Sequence, residues 1–299
     1  MPAKKQILLG ILSLFSVVRG YNILVIVLAQ YLASAYIMAK DRSLRAVLFD
    51  GSLFAIVLAS AMAIAAGYII NSFYDAEKDL INRPQKTMLD ELIAPPVKLS
   101  AYFILNFLSV IAASYVSFRA VVFFSAYIFG IWLYSHKLKK IPFLGNLIAA
   151  LLAITPFFAV FVYYKNFDTV IFVHATFLFL LILIRELSKD LENLQGDLAQ
   201  DYKTIPVLYG EHTSKQLITL LVVFTLIPAY LLVTRFPVGY MYLYFYGSGI
   251  LLLCFLFLLW RSRRKAHYLW LHNILKFIIV SGVFSIILID IDRLIHTFS

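Results

Sequence analysis

Nine long apolar runs divide the chain, near residues 20–39, 51–71, 98–117, 120–135, 143–163, 169–187, 214–234, 239–260 and 270–291. Runs of this length are read as helices that cross a bilayer. The run at 120–135 is short and its connection to the preceding run is very tight, so the third and fourth helices should form a hairpin. Ahead of the first run, Gln6 to Val18 reads as an interfacial or entry helix: no small-x-small cleavage site follows it, and Arg19-Gly-Tyr-Asn22 interrupts the apolar stretch before it resumes. The pattern predicts an all-α polytopic membrane protein of about nine transmembrane helices, a single domain over residues 1–299, with no soluble domain, low-complexity tract or linker.

The polar stretches are unequal. Those at 72–97 and 188–213 are long, face the same side in a nine-span topology, and carry most of the acids. The first begins Asn71-Ser-Phe-Tyr-Asp75-Ala-Glu-Lys-Asp79-Leu-Ile-Asn-Arg83-Pro84. Asn71, Asp75 and Asp79 recur at i, i+4 and i+8, which puts three oxygen-bearing side chains on one helical face. At the mouth of a membrane helix such a face is costly unless it holds something cationic, and a hard divalent ion such as Mg²⁺ suits its oxygens.

The second stretch contains Arg185-Glu-Leu-Ser-Lys189-Asp190-Leu-Glu192-Asn193-Leu-Gln-Gly196-Asp197 and ends in Asp201-Tyr-Lys203-Thr204-Ile-Pro206. Asp190, Asn193 and Asp197 fall at i, i+3 and i+7, again one face. Asp79 and Asp197 are separated by the same step as Asp75 and Asn193, and an inner basic loop follows two helices later in both halves. This suggests a weak internal four-helix repeat, with two acidic faces converging on one cavity. Glu77, Lys78, Asp90, Glu91 and Glu192 read as ordinary solvated loop charges, and Asp201 as a solvated helix end.

Composition narrows the class. The chain is 62% hydrophobic and 14% charged, which fits a bilayer and not a dispersed soluble protein. The net charge of +10 would suggest nucleic acid in a soluble protein, but here 17 of the 26 Lys and Arg fall on the inner side of a nine-span topology against seven outside. No nucleic-acid partner is expected. The positive-inside rule places the N-terminus and both long loops on the cytoplasmic face of a cell's inner membrane. A single cysteine, Cys254, excludes disulfide or thiolate-metal chemistry within one chain.

Acidic and amide oxygens holding Mg²⁺, and Mg²⁺ holding a diphosphate, is the chemistry these positions suit. Asn71, Asp75, Asp79, Asp190, Asn193 and Asp197 are the candidate metal ligands, with Asn71, Asp75, Asp79 and Asp197 forming the catalytic set. Arg83, Lys137 and Lys203 are placed to neutralise remaining phosphate charge. If the organic half is allylic, its cation can be sheltered by aromatic faces, and Tyr74, Tyr134 and Tyr202 lie beside the polar motifs. Asp197 or the released diphosphate would take the proton lost by an acceptor.

At these residues the sequence resembles the UbiA superfamily of intramembrane prenyltransferases. Asn71-x3-Asp75-x3-Asp79 with Arg83-Pro84 is similar to the family's first motif, and Gly196-Asp197 with Thr204-x-Pro206 to its second. Leu133-Tyr134-Ser135-x2-Leu138-Lys139-x5-Gly145-Asn146 is similar to its segment between helices four and five, and Arg19-x2-Asn22 to a further element. The resemblance implies nine helices around a central chamber, Mg²⁺ dependence, an isoprenyl diphosphate donor, a lipophilic acceptor, and substrate contacts from Arg19 and Asn22. The short Asp79-to-Pro84 spacing and the Arg185-to-Asp197 segment look most like the digeranylgeranylglyceryl-phosphate synthase branch, which implies geranylgeranyl transfer to geranylgeranylglyceryl phosphate. Asn193 departs from the family's aspartate, Ser72 from a common aspartate, and Leu89-Asp-Glu-Leu-Ile from a basic, small-residue turn. Two other readings stand beside this one: transfer to an aromatic quinone or haem precursor, and an ion-coupled membrane transporter whose carboxylates bind protons or cations.

Overall fold

Among the described residues, nine helices are long and apolar enough to cross a bilayer, in agreement with the apolar runs. The computed structural model describes residue 13 and residues 15–293, so most of the expected entry helix at Gln6 to Val18 lies outside the described residues. The spans are α1 (Gly20–Ala33, continued by a π-turn over Ser34–Met38), α2 (Gly51–Tyr74), α3 (Pro95–Ser114), α4 (Phe118–His136) and α5 (Leu144–Tyr164). They continue as α6 (Thr169–Glu192), α7 (Ile205–Arg235), α8 (Tyr242–Arg261) and α9 (Lys265–Ser285). The predicted hairpin is present: α3 packs on α4 across a three-residue turn, and Ser117 caps α4 by accepting from Ala120 N–H at 3.2 Å.

The spans pack as two groups. In one, α2 lies against α3 and α4; in the other, α6 lies against α7 and α9, with α8 on α7 and α9. Helices α1 and α5 stand between them, α1 touching α2, α5 and α9, and α5 touching α2, α4 and α6. One apolar core runs through all nine spans, from Ala33 to Ile286. The packing does not establish the expected four-helix repeat, because α2 contacts α4 whereas α6, at the corresponding position, contacts α9.

A bilayer offers lipid tails on every side, so helices must recognise one another through polar groups and close packing. Gln30, fully buried in α1, does this by donating to Ser60 Oγ on α2 (3.1 Å) and to the Pro156 carbonyl on α5 (2.9 Å). Pro156 also lacks the N–H that would bond the Leu152 carbonyl. The Tyr127 hydroxyl of α4 takes that carbonyl at 3.1 Å, so the break in α5 becomes a tie to α4. Ser109 of α3 donates to the Ala59 carbonyl of α2 at 2.8 Å. Each such bond contributes about 0.6–2 kcal/mol in a membrane.

At the end away from the acidic motifs, Asp50 starts α2 by accepting from Ser52 and Leu53 N–H at 3.0 and 3.1 Å, and it also accepts from the Tyr163 hydroxyl of α5 at 2.8 Å. Near the motif end, α7 is broken at Gly210, whose φ of 82° and ψ of 165° are closed to most L-residues. Its first turn, Ile205 to Tyr209, is therefore attached to the span without continuing its helix.

Candidate active site

Helix α2 ends at Tyr74, and Asp75 breaks it with φ −99° and ψ 4° before a short helix, Ala76–Asn82, begins. Helix α6 ends at Glu192, and Asn193 breaks it with φ −97° and ψ 8° before another short helix, Leu194–Ala199. The two breaks sit at positions the sequence pairs, and their backbones match within a few degrees. The i, i+4 hydrogen bonds nevertheless continue through both, from Asp79 N to Asp75 O (2.8 Å) and from Asp197 N to Asn193 O (3.1 Å). The expected common face of Asn71, Asp75 and Asp79 is thus kept, with a bend in its middle.

The two short helices pack directly on each other. Gly196 makes that possible: a Cβ there would lie 2.3 Å from the Asn82 amide, and Gly196 N–H donates to Asn82 Oδ1 at 3.3 Å. Lys265, the first residue of α9, donates to the Asn82 carbonyl at 2.6 Å and fixes the pair to the second helix group. The two motifs therefore converge, as the matching offsets predicted.

In the first half of the site Asp75 is buried and fully engaged. Its Oδ1 accepts from Lys139 Nζ (2.7 Å) and from the Tyr202 hydroxyl (2.9 Å), and its Oδ2 accepts from Asn71 Nδ2 (2.8 Å). Burial alone would raise the Asp75 carboxyl, but Lys139, Lys78 and these hydrogen bonds outweigh it and hold the group below the usual carboxylate range. Lys139 reaches the site from the turn Leu138–Lys140, which packs flush on α5 because Gly145 has no side chain: a Cβ would sit 3.0 Å from the Lys139 carbonyl.

In the second half Asp197 is wholly buried, with Lys78 Nζ at 2.5 Å from Oδ1 and the Thr204 hydroxyl donating to Oδ2 at 3.3 Å. Burial would lower the Lys78 ammonium, yet Asp197 and Asp75 raise it above its ordinary value. The face of Tyr202 lies 4.2 Å from Lys78 Nζ and 4.8 Å from Lys140 Nζ. Asp190 accepts from Asn146 Nδ2 at 2.7 Å. The Asn193 Oδ1 is buried without a hydrogen-bond donor.

The structure places other cations beside the acids than those the sequence singled out. Lys137 and Lys203 are exposed, and the cations at the acids are Lys139 and Lys78 instead. Helix phase explains the first change, since two residues along the turn separate a side chain in the site from one in solvent. Lys78 is no solvated charge, and neither is Glu192, which is buried and paired with Arg83 (3.2 Å), nor Asp90, buried and accepting from Ser16 at 3.3 Å. Nothing local marks Lys78 or Glu192, because their partners lie across the fold. Glu77, Glu91 and Asp201 are exposed, as expected. Tyr202 gives its hydroxyl to Asp75 and its face to lysines, exposed Tyr74 has Lys139 Nζ 5.7 Å from its ring centre, and Tyr134 is half-buried.

Asn22 donates to the Tyr68 hydroxyl at 3.3 Å, and Arg19 stacks over the Tyr68 ring at 5.0 Å. Both line a polar cleft of about 360 Å³ with Arg83, Arg185, Lys189, His272 and Lys276. A separate cavity, lined almost wholly by apolar side chains of α1, α5, α6, α8 and α9, lies farther along the bundle, with His174 among its walls.

The site's donor set is all oxygen, which fits Mg²⁺ and not a soft metal. The orphaned Asn193 Oδ1 is the observation that favours a ligand there. Among the described residues no three carboxylate, imidazole or thiolate side chains converge on one point, so the acids form two half-sites and not one cage. Asn193→Asp places a carboxylate at the orphaned position. It is expected to lower the Mg²⁺ concentration needed for half-maximal activity several-fold, read from Mg²⁺ titrations; a higher requirement would show that the amide has its own role.

An integral membrane protein whose two bent helices present paired oxygen half-sites at one end of a nine-helix bundle is what the fold and site define. Residues 27–277 match the UbiA prenyltransferase family, and the chain belongs to it. With that, the ion-coupled transporter reading falls. The chain is 34% identical over 167 residues to the digeranylgeranylglyceryl phosphate synthase of Thermococcus sibiricus, covering 55% of this chain and 59% of that one. It is 29% identical over 209 residues to the same-named enzyme of Methanobrevibacter smithii, covering 66% and 69%. The fold is similar to a solved digeranylgeranylglyceryl phosphate synthase, with TM-score 0.69, 21% identity and coverage of 93% and 97%. It is also similar to a UbiA homologue of Archaeoglobus fulgidus bound to GPP and Mg²⁺, with TM-score 0.67, 15% identity and coverage of 92% and 99%.

Proposed function

We propose that the protein transfers a geranylgeranyl group from geranylgeranyl diphosphate to the glycerol hydroxyl of geranylgeranylglyceryl phosphate, forming an ether lipid. The relatives' names and the solved homologue's GPP and Mg²⁺ support this class of reaction. The observation that carries it is the convergence of Asp75, Asp79, Asp190, Asn193 and Asp197 at one end of the bundle, with Lys78 and Lys139 among them. Asp79 and Asn193, together with Asn71 and Asp190, are the residues that would hold Mg²⁺. When bound, the ion supplies charge stabilisation to the diphosphate.

The chain's own residues do the rest. Lys78 and Lys139 are ammonium groups at the acids, placed to donate to diphosphate oxygens as the donor's C1–O bond breaks and its electron pair leaves with diphosphate. The allylic cation then accepts a lone pair from the acceptor hydroxyl oxygen, forming the C–O ether bond. The hydroxyl proton passes to the released diphosphate, since Asp197 is occupied by Lys78 and Thr204. The apolar cavity between α1, α5, α6, α8 and α9 suits an isoprenoid tail. By the distribution of Lys and Arg, the site faces the cytoplasm from a cell's inner membrane.

Incubation of purified protein with geranylgeranyl diphosphate, Mg²⁺, geranylgeranylglyceryl phosphate and a hydroxybenzoate tests the assignment in one vessel. The diether phosphate is expected as the product, lost with EDTA and restored by Mg²⁺. A prenylated hydroxybenzoate would reassign the acceptor, and no product from either would refute the proposal.

A further inference from the structure

The polar cleft is a second site, distinct in charge from the acidic one beside it. Arg19, Arg83, Arg185, Lys189, His272 and Lys276 line it, and no carboxylate does. Behind its walls Glu186 pairs with Arg185 and Lys189 (both 3.0 Å), and Glu192 pairs with Arg83 (3.2 Å). Asp90, which accepts from Ser16 on the cleft wall at 3.3 Å, is a third carboxylate, so five permanent cations meet three. Arg185 also approaches His272 Nε2 at 3.4 Å, which leaves Nδ1 to carry the proton toward Glu192, 3.7 Å away. His272 is then neutral and adds a hydrogen-bonding group without adding charge.

Arg19 and Lys276 have no carboxylate partner among the described residues, and each rests only on an aromatic face, Tyr68 at 5.0 Å and Tyr21 at 4.2 Å. Lys276 is the more telling. It stands eleven residues into α9 and six past the start of the apolar run near residue 270, roughly 9 Å along the axis from there. An ammonium within an apolar span, with no carboxylate partner among the described residues, is costly, and an anionic ligand would supply the missing charge. Arg19 is fixed by a left-handed backbone, φ 50° and ψ 53°, at the start of α1. That conformation is uncommon for a non-glycine residue and is a form of strain found at functional positions.

We propose that this cleft binds the phosphomonoester of the acceptor, an inference that rests on the function proposed above and names the acceptor's anchoring site. Helix α6 carries the geometric argument. Arg185 and Lys189 are one turn apart on the face that lines the cleft, and Asp190, about 100° further round, belongs to the acidic face. The acceptor phosphate and the donor diphosphate are thereby held on adjoining faces of one helix, each by its own groups. A phosphomonoester carries about −1.5 to −2 charges at neutral pH, closer to the cleft's surplus of cations than a carboxylate or a bilayer phosphodiester.

The test uses full-length protein in phosphatidylcholine nanodiscs, titrated with dodecyl phosphate or dodecanol and no donor, so it does not depend on which hydroxyl reacts. Saturable binding of dodecyl phosphate is expected, weakened about tenfold or more in Lys276→Met/Arg19→Gln. Arg119→Gln, which removes an exposed cation at the other end of the bundle, is expected to leave it unchanged. Lys276→Met alone serves if the double variant fails to fold by circular dichroism. Undiminished binding in the variant overturns the proposal. So does equal competition by phosphatidylglycerol in the disc, which would make a bilayer phosphodiester the occupant. In turnover assays the variant's KM for geranylgeranylglyceryl phosphate is expected to rise tenfold with the donor's KM unchanged, and an equal rise in both would assign the cleft to the diphosphate.

Discussion

Asp79→Ala is expected to leave the protein folded and membrane-inserted while lowering donor-dependent turnover on the order of 10²–10³-fold. Asp79 is the informative acid because it supports nothing else. It is half-exposed on the short helix Ala76–Asn82, and its side chain has no hydrogen bond or ion pair among the described residues. Asp75 is a poorer choice, since its removal would strand Lys139, Asn71 and the Tyr202 hydroxyl together. A carboxylate without protein partners, beside two that are fully engaged, is the one available to an incoming cation. Steady-state kinetics with gel filtration and circular dichroism check the result; turnover near the parent level in a folded variant would remove the first motif from the chemistry.

Lys78→Met is expected to destabilise the ligand-free protein by about 3 kcal/mol, because it leaves the wholly buried Asp197 carboxylate without its counter-charge. Methionine keeps most of the stem, so the loss reports the charge more than the packing. Two further measurements separate this from a generic defect. Asp197→Asn in the Lys78→Met background is expected to recover most of the stability, since neither charge then remains alone. Mg²⁺ with a non-hydrolysable thiodiphosphate should also raise the variant's unfolding temperature less than the parent's, since a ligand that binds only the folded state stabilises it more the tighter it binds, and Lys78 is one of the groups placed to hold the diphosphate. A parent-like unfolding temperature for Lys78→Met would return Lys78 to the class of solvated loop charges.

The membrane architecture was legible because a bilayer imposes one rule on the whole chain: about twenty apolar residues per span, with backbone groups satisfied internally. The main correction was at the ends. Helix α6 continues to Glu192, because polar residues at the membrane surface remain helical where the apolar run has stopped, and a separate turn from Ile205 precedes the α7 span, set off from it by Gly210. The acids were legible for a similar reason, since helical spacing is local information. Their counter-ions were not. Lys78 meets Asp197, Lys139 meets Asp75 and Arg83 meets Glu192 only through tertiary packing. The choice of Lys139 over Lys137 depends on how a turn sits on Gly145. Lys276 was visible as a charge inside an apolar run, but its neighbours in the cleft come from three other regions of the chain.

The break at Gly210 bears on how the molecule yields. Beyond it, Lys215 donates to the Ser262 carbonyl and Tyr268 donates to Glu211, both at 2.6 Å, which fastens α7 to the α8–α9 connection and the start of α9. The segment from Asn193 to Tyr209, bearing Asp197, Tyr202 and Thr204, therefore hangs between two discontinuities and not from an unbroken helix. Loosening it draws on its own contacts, among them the burial of Tyr202, Thr204 and Ile205, and leaves the bonds that anchor the membrane span untouched. Residues 193–209 can therefore open as a unit of their own, and their backbone amides are expected to exchange hydrogen faster than those of the spans they connect.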